Sequence, residues 1–191
     1  MLSELSAVIL KCKIRALEDK VSPISDLCGR FIRMLAYTTA INKETPKFLE
    51  IGTGYGYSTF WIAIGALEAN PNAVIYTVEI APDRARLAMD FFEKAKLTNK
   101  VRFIIGDAKR VIETIEDTFD FVFIDARKEE YIVYLRKLEP KLSKGAIVIA
   151  HNVISAAHKM PAFIKELRDV RKWITIFLST DPAGISISIK K

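Results

Sequence analysis

The sequence predicts an α/β domain built on a doubly wound sheet of about seven strands, mostly parallel, with helices on both faces. Three observations support this class. Apolar runs of strand length recur along the chain, the first five are each followed by a helical pattern, and the last two are separated only by the turn sequence STDPAG. Strands that alternate with helices form parallel βαβ units, whereas strands joined by a short turn pair antiparallel. The sequence therefore predicts a C-terminal antiparallel hairpin at one end of a parallel sheet.

The first 45 residues show helical spacing of their apolar residues. Two stripes are separated by the break VSPISD (21–26), the first formed by Leu5, Val8, Ile9 and Cys12 and the second by Phe31, Ile32, Leu35 and Ala36. In an open α/β sheet, ligands bind beyond the carboxyl ends of the strands, and this segment can fold over that edge as a partial lid. Packing on the core, or contact with a second copy in a homodimer, explains the stripes equally well.

The rest of the chain follows the strand and helix rhythm. The predicted strands are KFLEI (47–51), AVIYTVE (73–79), VRFIIG (101–106), FDFVFID (119–125), AIVIAHN (146–152), 173–178 and 185–189. Helices are predicted over 57–67, after Pro82 in ARLAMDFFEKA (85–95), and in YIVYLRKLEPKL (131–142), which we expect to end before Ser-Lys-Gly. We expect one domain over residues 1–191, with an N-terminal helical segment (1–45) and an α/β core (46–191).

Composition limits the function classes. The chain has 29 basic and 23 acidic residues, a formal net charge of +6, which is compatible with an RNA partner but does not require one. Cys12 and Cys28 have no second pair of cysteines and indicate neither a zinc cluster nor a redox motif, so we expect reduced core residues. The apolar runs are too short for a signal peptide or a membrane span, and we expect a cytoplasmic protein with no membrane partner.

Three glycines alternate where the first predicted strand passes into a helix. The sequence LEIGTGYGYST places Gly52, Gly54 and Gly56 in an E-x-G-x-G-x-G pattern, and Glu79 closes the next strand 23 residues after Gly56. Such glycines allow a close approach of a ligand to the backbone, and a strand-end carboxylate can accept from both ribose hydroxyls. Helix packing alone and a solvated glutamate are the simpler explanations of each feature. Together, in this order, they favour a nucleotide-type ligand.

A family resemblance rests on five segments in order. LEIGTGYGYST, YTVEIAPDRARLA, VRFIIGDA, FDFVFIDARKEEY and LSKGAIVIAHNV resemble the successive motifs of class I S-adenosylmethionine-dependent methyltransferases. More narrowly, the Tyr-Ser after the glycines and the D-x-x-K-x-x-Y pattern resemble the small catechol and caffeoyl-CoA type O-methyltransferases. The resemblance covers about residues 20–190 and implies a Rossmann-like fold.

The resemblance also implies a set of cofactor contacts. Glu50, Gly52 and the backbone of 54–56 would line the methionine moiety, with Ser58 near its carboxylate at a helix start, where free N–H groups favour an anion. Glu79 would hold the ribose, and Asp107 would accept from the adenine amine beside Ala108, unless it only caps the next helix. The full expected set is Glu50, Gly52, Gly54, Tyr55, Gly56, Tyr57, Ser58, Glu79, Ile80, Asp107, Ala108 and Asp125.

The same family pattern assigns the chemistry to three further positions. Asp125 would bind a divalent metal and Lys128 would take the proton of the attacking hydroxyl, since a metal lowers a hydroxyl pKa and a desolvated lysine can act as a base. The alternative for this pair is a helix cap and a surface lysine. The family has Asp-Asn after its fifth strand, whereas this chain has His151-Asn152.

Histidine at position 151 leaves several outcomes open. Imidazole suits Mn²⁺, Fe²⁺, Ni²⁺ or Zn²⁺ better than Mg²⁺, so Asp125, His151 and Asn152 would hold a borderline ion. Alternatively His151 is the general base of a metal-free site, or the site has lost O-methylation. We expect a methyltransferase that acts on a hydroxyl of a small acceptor, phenolic by resemblance. The rivals are a tRNA-base methyltransferase and an S-adenosylmethionine-binding protein without turnover.

Overall fold

The computed structural model describes residues 2–191, in which helices separate the first six strands and a turn joins the last two; Met1 of the predicted domain lies outside the described residues. The strands are β1 (Lys47–Ile51), β2 (Val74–Glu79), β3 (Val101–Ile105), β4 (Phe119–Ile124), β5 (Leu142–His151), β6 (Trp173–Leu178) and β7 (Ile185–Lys190). The α-helices are α1 (Leu2–Glu18), α2 (Asp26–Ala40), α3 (Tyr57–Ala69), α4 (Pro82–Lys94), α5 (Ala108–Thr114), α6 (Tyr131–Leu138) and α7 (Pro161–Leu167).

The strands form a single sheet in the order β3-β2-β1-β4-β5-β7-β6. β1 to β5 are parallel, while β7 pairs antiparallel with both β5 and β6. The chain builds outward from β1 to β3 and then returns to β4, so the strand order reverses between β1 and β4. A crevice opens at such a reversal, beyond the carboxyl ends of the strands. The predicted doubly wound sheet with a C-terminal antiparallel pair is confirmed.

Helices cover both faces of the sheet. α5, α6 and α7 pack on one face, where Ile112, Leu135 and Phe163 are fully buried. α1 to α4 cover the other face, where the rings of Phe60 and Phe92 stack at 4.0 Å between centroids. Burial of large apolar side chains on both faces explains why the central strands read as nearly continuous apolar runs rather than as alternating ones.

One predicted boundary is wrong. α6 ends at Leu138, and after a short 3-10 turn β5 begins at Leu142, so the Ser-Lys-Gly expected to stop the helix lies inside a strand. Pro140 explains the early end, because proline lacks the N–H that a continuing helix needs. The pairing of β4 with β5 shifts register between Phe119 and Phe121, and this irregularity absorbs the extra residues at the start of β5.

The N-terminal segment folds over the carboxyl edge of the sheet. Ser25 caps α2 by accepting from the Cys28 N–H at 3.1 Å. Cys12 and Cys28 are buried free thiols, as expected, and burial raises the pKa of each to about 12. Among the helices of residues 2–191, none combines the length and apolar character needed to span a membrane.

Candidate active site

A cavity of about 670 Å³ opens at the carboxyl ends of the strands, under the N-terminal segment. Its wall on that side is formed by the end of α1 and the connection to α2, from Lys13 to Ser25. This is the position that the lid interpretation requires. The volume lies within the roughly 300–1,000 Å³ of small-molecule and cofactor sites.

Most of the predicted cofactor contacts line this one cavity. They are Gly52, Gly54, Tyr55, Tyr57, Ser58, Glu79, Ile80, Asp107, Ala108 and Asp125. Of the residues that the structure describes in the predicted set, Glu50 and Gly56 are outside the lining. Gly56 instead precedes α3 as its N-cap residue. Cofactor contacts of these two residues stay predictions.

The glycine turn serves packing as well as access. Gly52 has φ +98°, and a Cβ there would lie 2.1 Å from the carbonyl oxygen of Asp125. Gly54 has φ +55° and faces the cavity, where a Cβ would meet a Val21 methyl at the ordinary contact distance of 3.6 Å. Backbone strain and contact therefore require glycine at 52, and Gly54 leaves bare backbone toward a ligand.

Glu79 joins the turn to the second strand. Its Oε2 accepts from the Gly54 N–H at 2.8 Å and its Oε1 accepts from the Ala81 N–H at 3.0 Å. A carboxylate has about four acceptor positions, so each oxygen can accept one further hydrogen bond from a ligand in the cavity. The bare backbone of the turn and this carboxylate fit an adenosyl cofactor, and the ribose contact of Glu79 stays a prediction.

Glu50 is a fully buried carboxyl group behind the turn. The hydroxyls of Thr59 and Thr77 donate to its Oε2, while Oε1 has no hydrogen-bond partner within the described chain. Burial raises the pKa of Glu50 to about 7, against the lowering effect of the neighbouring hydroxyls of Ser58, Thr59 and Thr77. Glu50 therefore changes charge near neutral pH.

Asp107 has the helix-capping role that was its simpler explanation. Its Oδ1 accepts from the Lys109 N–H at 2.9 Å at the start of α5. The Lys109 ammonium in turn donates to Glu130 at 2.7 Å. Asp107 also lines the cavity, so the cap leaves the predicted adenine contact available.

Asp125 and Lys128 form an ion pair at the end of β4. Lys128 Nζ lies 2.6 Å from Asp125 Oδ1 and donates to the Tyr131 hydroxyl at 2.9 Å, and that hydroxyl donates to the carbonyl of His151 at 3.3 Å. Burial opposes ionisation of Asp125, but His151 and Lys128 outweigh it and lower its pKa. The D-x-x-K-x-x-Y pattern thus builds a small network in which Tyr131 holds the lysine over the cavity.

His151 lies between two carboxylates at the end of β5. Its Nδ1 is 3.2 Å from Asp125 Oδ2, and its Nε2 is 3.6 Å from Asp181 Oδ2. Burial lowers the pKa of His151, but the hydrogen bond with Asp125 and the charges of Asp125 and Asp181 raise it more. Asp181 is therefore a second anion beside His151, which the sequence did not indicate.

The residues at the metal positions of the resemblance are hydrogen-bonded to neighbouring side chains. Both oxygens of Asp125 have nitrogen partners, on Lys128 and His151, and the Asn152 side-chain N–H donates to Ser155 at 3.3 Å. Mg²⁺ takes oxygen ligands in near-octahedral geometry and usually keeps several waters. The His151 imidazole, which lies between the carboxylates of Asp125 and Asp181, offers a nitrogen ligand instead of oxygen. Metal binding by Asp125, His151 and Asn152 stays a prediction.

Sequence reasoning missed two of the residues that surround His151. Asp181 was assigned only to a turn, and Cys28 only to the core, yet a Cys28 sulfur, a His151 nitrogen and an Asp181 oxygen lie within 4.8 Å of one another. No local pattern joins them, because they come from α2, β5 and the β6–β7 turn.

Comparison with known sequences identifies relatives. A family model described as O-methyltransferase matches residues 2–166. A catechol O-methyltransferase of Mycobacterium tuberculosis is 33% identical over 127 residues, 66% of this chain and 54% of that protein. A catechol O-methyltransferase of Sus scrofa is 31% identical over 138 residues, 68% of this chain and 72% of that protein. The chain spans little more than half of the Mycobacterium tuberculosis and Niastella koreensis relatives, 54% and 56%.

Solved structures agree with the fold. The O-methyltransferase from Bacillus cereus in complex with SAH has a TM-score of 0.85 at 22% identity, over 97% of this chain and 91% of that chain. TomG from Streptomyces achromogenes, in complex with SAM, has a TM-score of 0.85 at 21% identity, over 96% and 89%. The same fold therefore recurs in enzymes that share about a fifth of their residues with this chain. By its sequence match over most of its length, the chain belongs to the O-methyltransferase family.

Proposed function

We propose that this protein transfers a methyl group from S-adenosylmethionine to a hydroxyl of a small, phenolic acceptor. The observation that carries the proposal is that one cavity contains both the glycine turn with Glu79 and the Asp125–Lys128 pair. The first set suits an adenosyl cofactor, and the second suits a hydroxyl that must lose a proton. The names of the catechol O-methyltransferase relatives support the phenolic class.

The glycine turn, Glu79 and Asp107 form the part of the site that would hold the cofactor. S-adenosylmethionine supplies an electrophilic methyl group on a positively charged sulfur, which leaves as a neutral thioether. Glu79 accepts from the ribose hydroxyls while it holds the Gly54 N–H, so the turn has its shape before the ligand arrives. Asp107 accepts from the adenine amine at the edge of β3.

Lys128 acts on the acceptor. Its ammonium, held by Asp125 and Tyr131, attracts the acceptor oxygen and stabilises the negative charge that develops there. Nζ can take the acceptor proton only as a neutral amine, so the ammonium must first give its own proton to solvent. Holding the oxygen in line with the methyl carbon supplies much of the rate.

Transfer of an isotope-labelled methyl group tests the proposal. Purified protein is incubated with labelled S-adenosylmethionine and, separately, catechol, a hydroxylated cinnamoyl thioester, bulk tRNA or no acceptor. We expect label on the phenolic oxygen, and we expect Asp125→Asn to reduce it. Label that enters only tRNA would assign the protein to base methylation. Cofactor binding without transfer to any phenol in a broad panel would contradict the proposed activity.

A further inference from the structure

Three side chains able to bind a metal meet beside the cavity although they are far apart in sequence. Cys28 lies in the first turn of α2, His151 ends β5, and Asp181 lies in the turn between β6 and β7. The register explains the meeting: Ile185, the first residue of β7, pairs with His151, so the β6–β7 turn lies at the carboxyl edge of the sheet. One potential ligand atom of each residue lies within 4.8 Å of the other two.

His151 is oriented as a metal-binding histidine would be. The ionised Asp125 carboxylate can only accept a hydrogen bond, so His151 Nδ1 must donate to it. In the neutral ring, which has a single N–H, Nε2 then carries the lone pair. Nε2 is buried, and no hydrogen bond reaches it from any residue of 2–191. Metal-bound histidines commonly donate their other ring N–H to a carboxylate, which fixes the ring and increases its basicity. Asp125 occupies that supporting position here.

We propose that Cys28, His151 and Asp181 form a binding site for a divalent ion that prefers sulfur and nitrogen ligands, of which Zn²⁺ and Co²⁺ are examples. Cys28 Sγ, His151 Nε2 and one Asp181 carboxylate oxygen are the ligands, and Asp125 supports the ring from behind. This site differs from the set Asp125, His151 and Asn152 suggested by resemblance. It also goes beyond the proposed methyl transfer, because ion binding does not depend on cofactor or acceptor.

The distances are close to those of a tetrahedral site. Zinc bonds of about 2.0–2.3 Å place neighbouring ligand atoms about 3.3–3.8 Å apart. The 3.6 Å between His151 Nε2 and Asp181 Oδ2 already has this value. The other separations are at most 4.8 Å, so tetrahedral coordination requires them to shorten by about 1 Å. Three protein ligands leave a fourth position, and His151 and Asp181 both line the cavity.

The charges also suit a divalent ion. On binding, the Cys28 thiol releases its proton to solvent and the thiolate forms the metal–sulfur bond, so no oxidant or reductant is needed. The thiolate and the Asp181 carboxylate together balance the two positive charges of the ion. Sulfur and imidazole ligands disfavour Mg²⁺, which prefers oxygen and octahedral geometry. We therefore expect Co²⁺ and Zn²⁺ to bind in the presence of excess Mg²⁺.

Cobalt titration of the full chain tests the site without any methyl transfer. Protein stripped with a chelator is titrated with Co²⁺ under reducing conditions, and absorption is recorded in the near-ultraviolet and visible ranges. We expect one Co²⁺ per chain, a sulfur-to-cobalt charge-transfer band and the visible bands of tetrahedral cobalt. Zn²⁺ should abolish these bands, and a hundredfold excess of Mg²⁺ should not. The absence of a charge-transfer band, or displacement of Co²⁺ by Mg²⁺, would overturn the proposal.

Three variants locate the ligands. Cys28→Ser should remove the charge-transfer band and weaken Co²⁺ binding at least tenfold. Asp181→Asn keeps an oxygen that can accept from the Ala183 and Gly184 N–H groups of the turn, and it should weaken binding tenfold and keep the band at saturating Co²⁺. Cys12→Ser is the matched control, because Cys12 is the other buried free thiol and its sulfur contacts the carbonyl of Tyr55 instead. A band that survives Cys28→Ser, or unchanged affinity in Asp181→Asn, would contradict the assignment.

Discussion

Replacement of Glu79 by glutamine separates the two roles that the structure gives this carboxylate. The wild-type side chain accepts from two backbone N–H groups, at Gly54 and Ala81, and has room to accept from a ligand. Glutamine has the same shape but only one oxygen, so its amide N–H₂ meets one of the two backbone donors. An unsatisfied buried N–H costs about 1–3 kcal/mol, and we expect the free energy of unfolding to fall by that amount.

The same change weakens the ligand contact. A hydrogen bond to a charged group contributes about 1.5–3 kcal/mol, so loss of the carboxylate should weaken binding by roughly 10- to 150-fold. Calorimetry with S-adenosylhomocysteine measures the affinity, and urea unfolding measures the stability. Asp83→Asn is the control, because that carboxylate is 97% exposed near the start of α4 and should affect neither quantity.

The ribose assignment would be refuted if Glu79→Gln lost stability but bound S-adenosylhomocysteine with an affinity within threefold of the wild type. Glu79 would then only hold the glycine turn. Normal stability with weakened binding would instead contradict the role of its two backbone contacts.

Three further predictions concern other parts of the molecule. Lys128→Arg keeps a cation beside Asp125, but a guanidinium group cannot release its proton to become a base. We therefore expect kcat to fall by about 100-fold or more while S-adenosylhomocysteine binding is unchanged. Wild-type turnover would exclude Lys128 as the base. Burial raises the pKa of Glu50 from 4.5 to about 7 in the folded protein. Because the folded protein then binds the proton more tightly than the unfolded chain does, the free energy of unfolding of the wild type should fall by about 3 kcal/mol as the pH rises from 4.5 to 7. Glu50→Gln should remove this pH dependence in urea unfolding. Parallel pH profiles of the two proteins would contradict the assignment. The net charge of +6 predicts weak binding of bulk tRNA that falls steeply with salt, and tight, selective binding at physiological salt would favour an RNA substrate.

The fold could be predicted because each strand carries its own signal. The five parallel strands and the final hairpin follow from apolar runs and from the Asp-Pro turn, and their observed bounds differ by only a few residues. The error at α6 arose because the apolar spacing of YIVYLRKLEPKL continues past Pro140, whereas the backbone cannot. The missing N–H of Pro140 therefore decided where the helix ends, although the apolar spacing continues.

The site was predictable only where its residues follow strand ends. Parallel strands bring their carboxyl ends to one edge of the sheet. Within three residues of such an end lie Gly54, Glu79, Asp107, Asp125 and His151. Cys28 reaches His151 from the first turn of α2, and Asp181 reaches it from the turn between β6 and β7. Their approach depends on tertiary packing, which no spacing rule along the chain expresses.

The contact between Gly52 and the Asp125 carbonyl connects the glycine turn beside Glu79 with the backbone that carries Asp125. The Asp125 N–H donates to Ile51 at 2.9 Å and the Gly52 N–H donates to Val78 at 2.9 Å, so the end of β1 is clamped between its neighbours. A larger residue at position 52 would push away the backbone that carries Asp125, as well as deform the turn beside Glu79. We therefore expect a single change at Gly52 to disturb the turn beside Glu79 and the position of Asp125 together, because one backbone contact connects them.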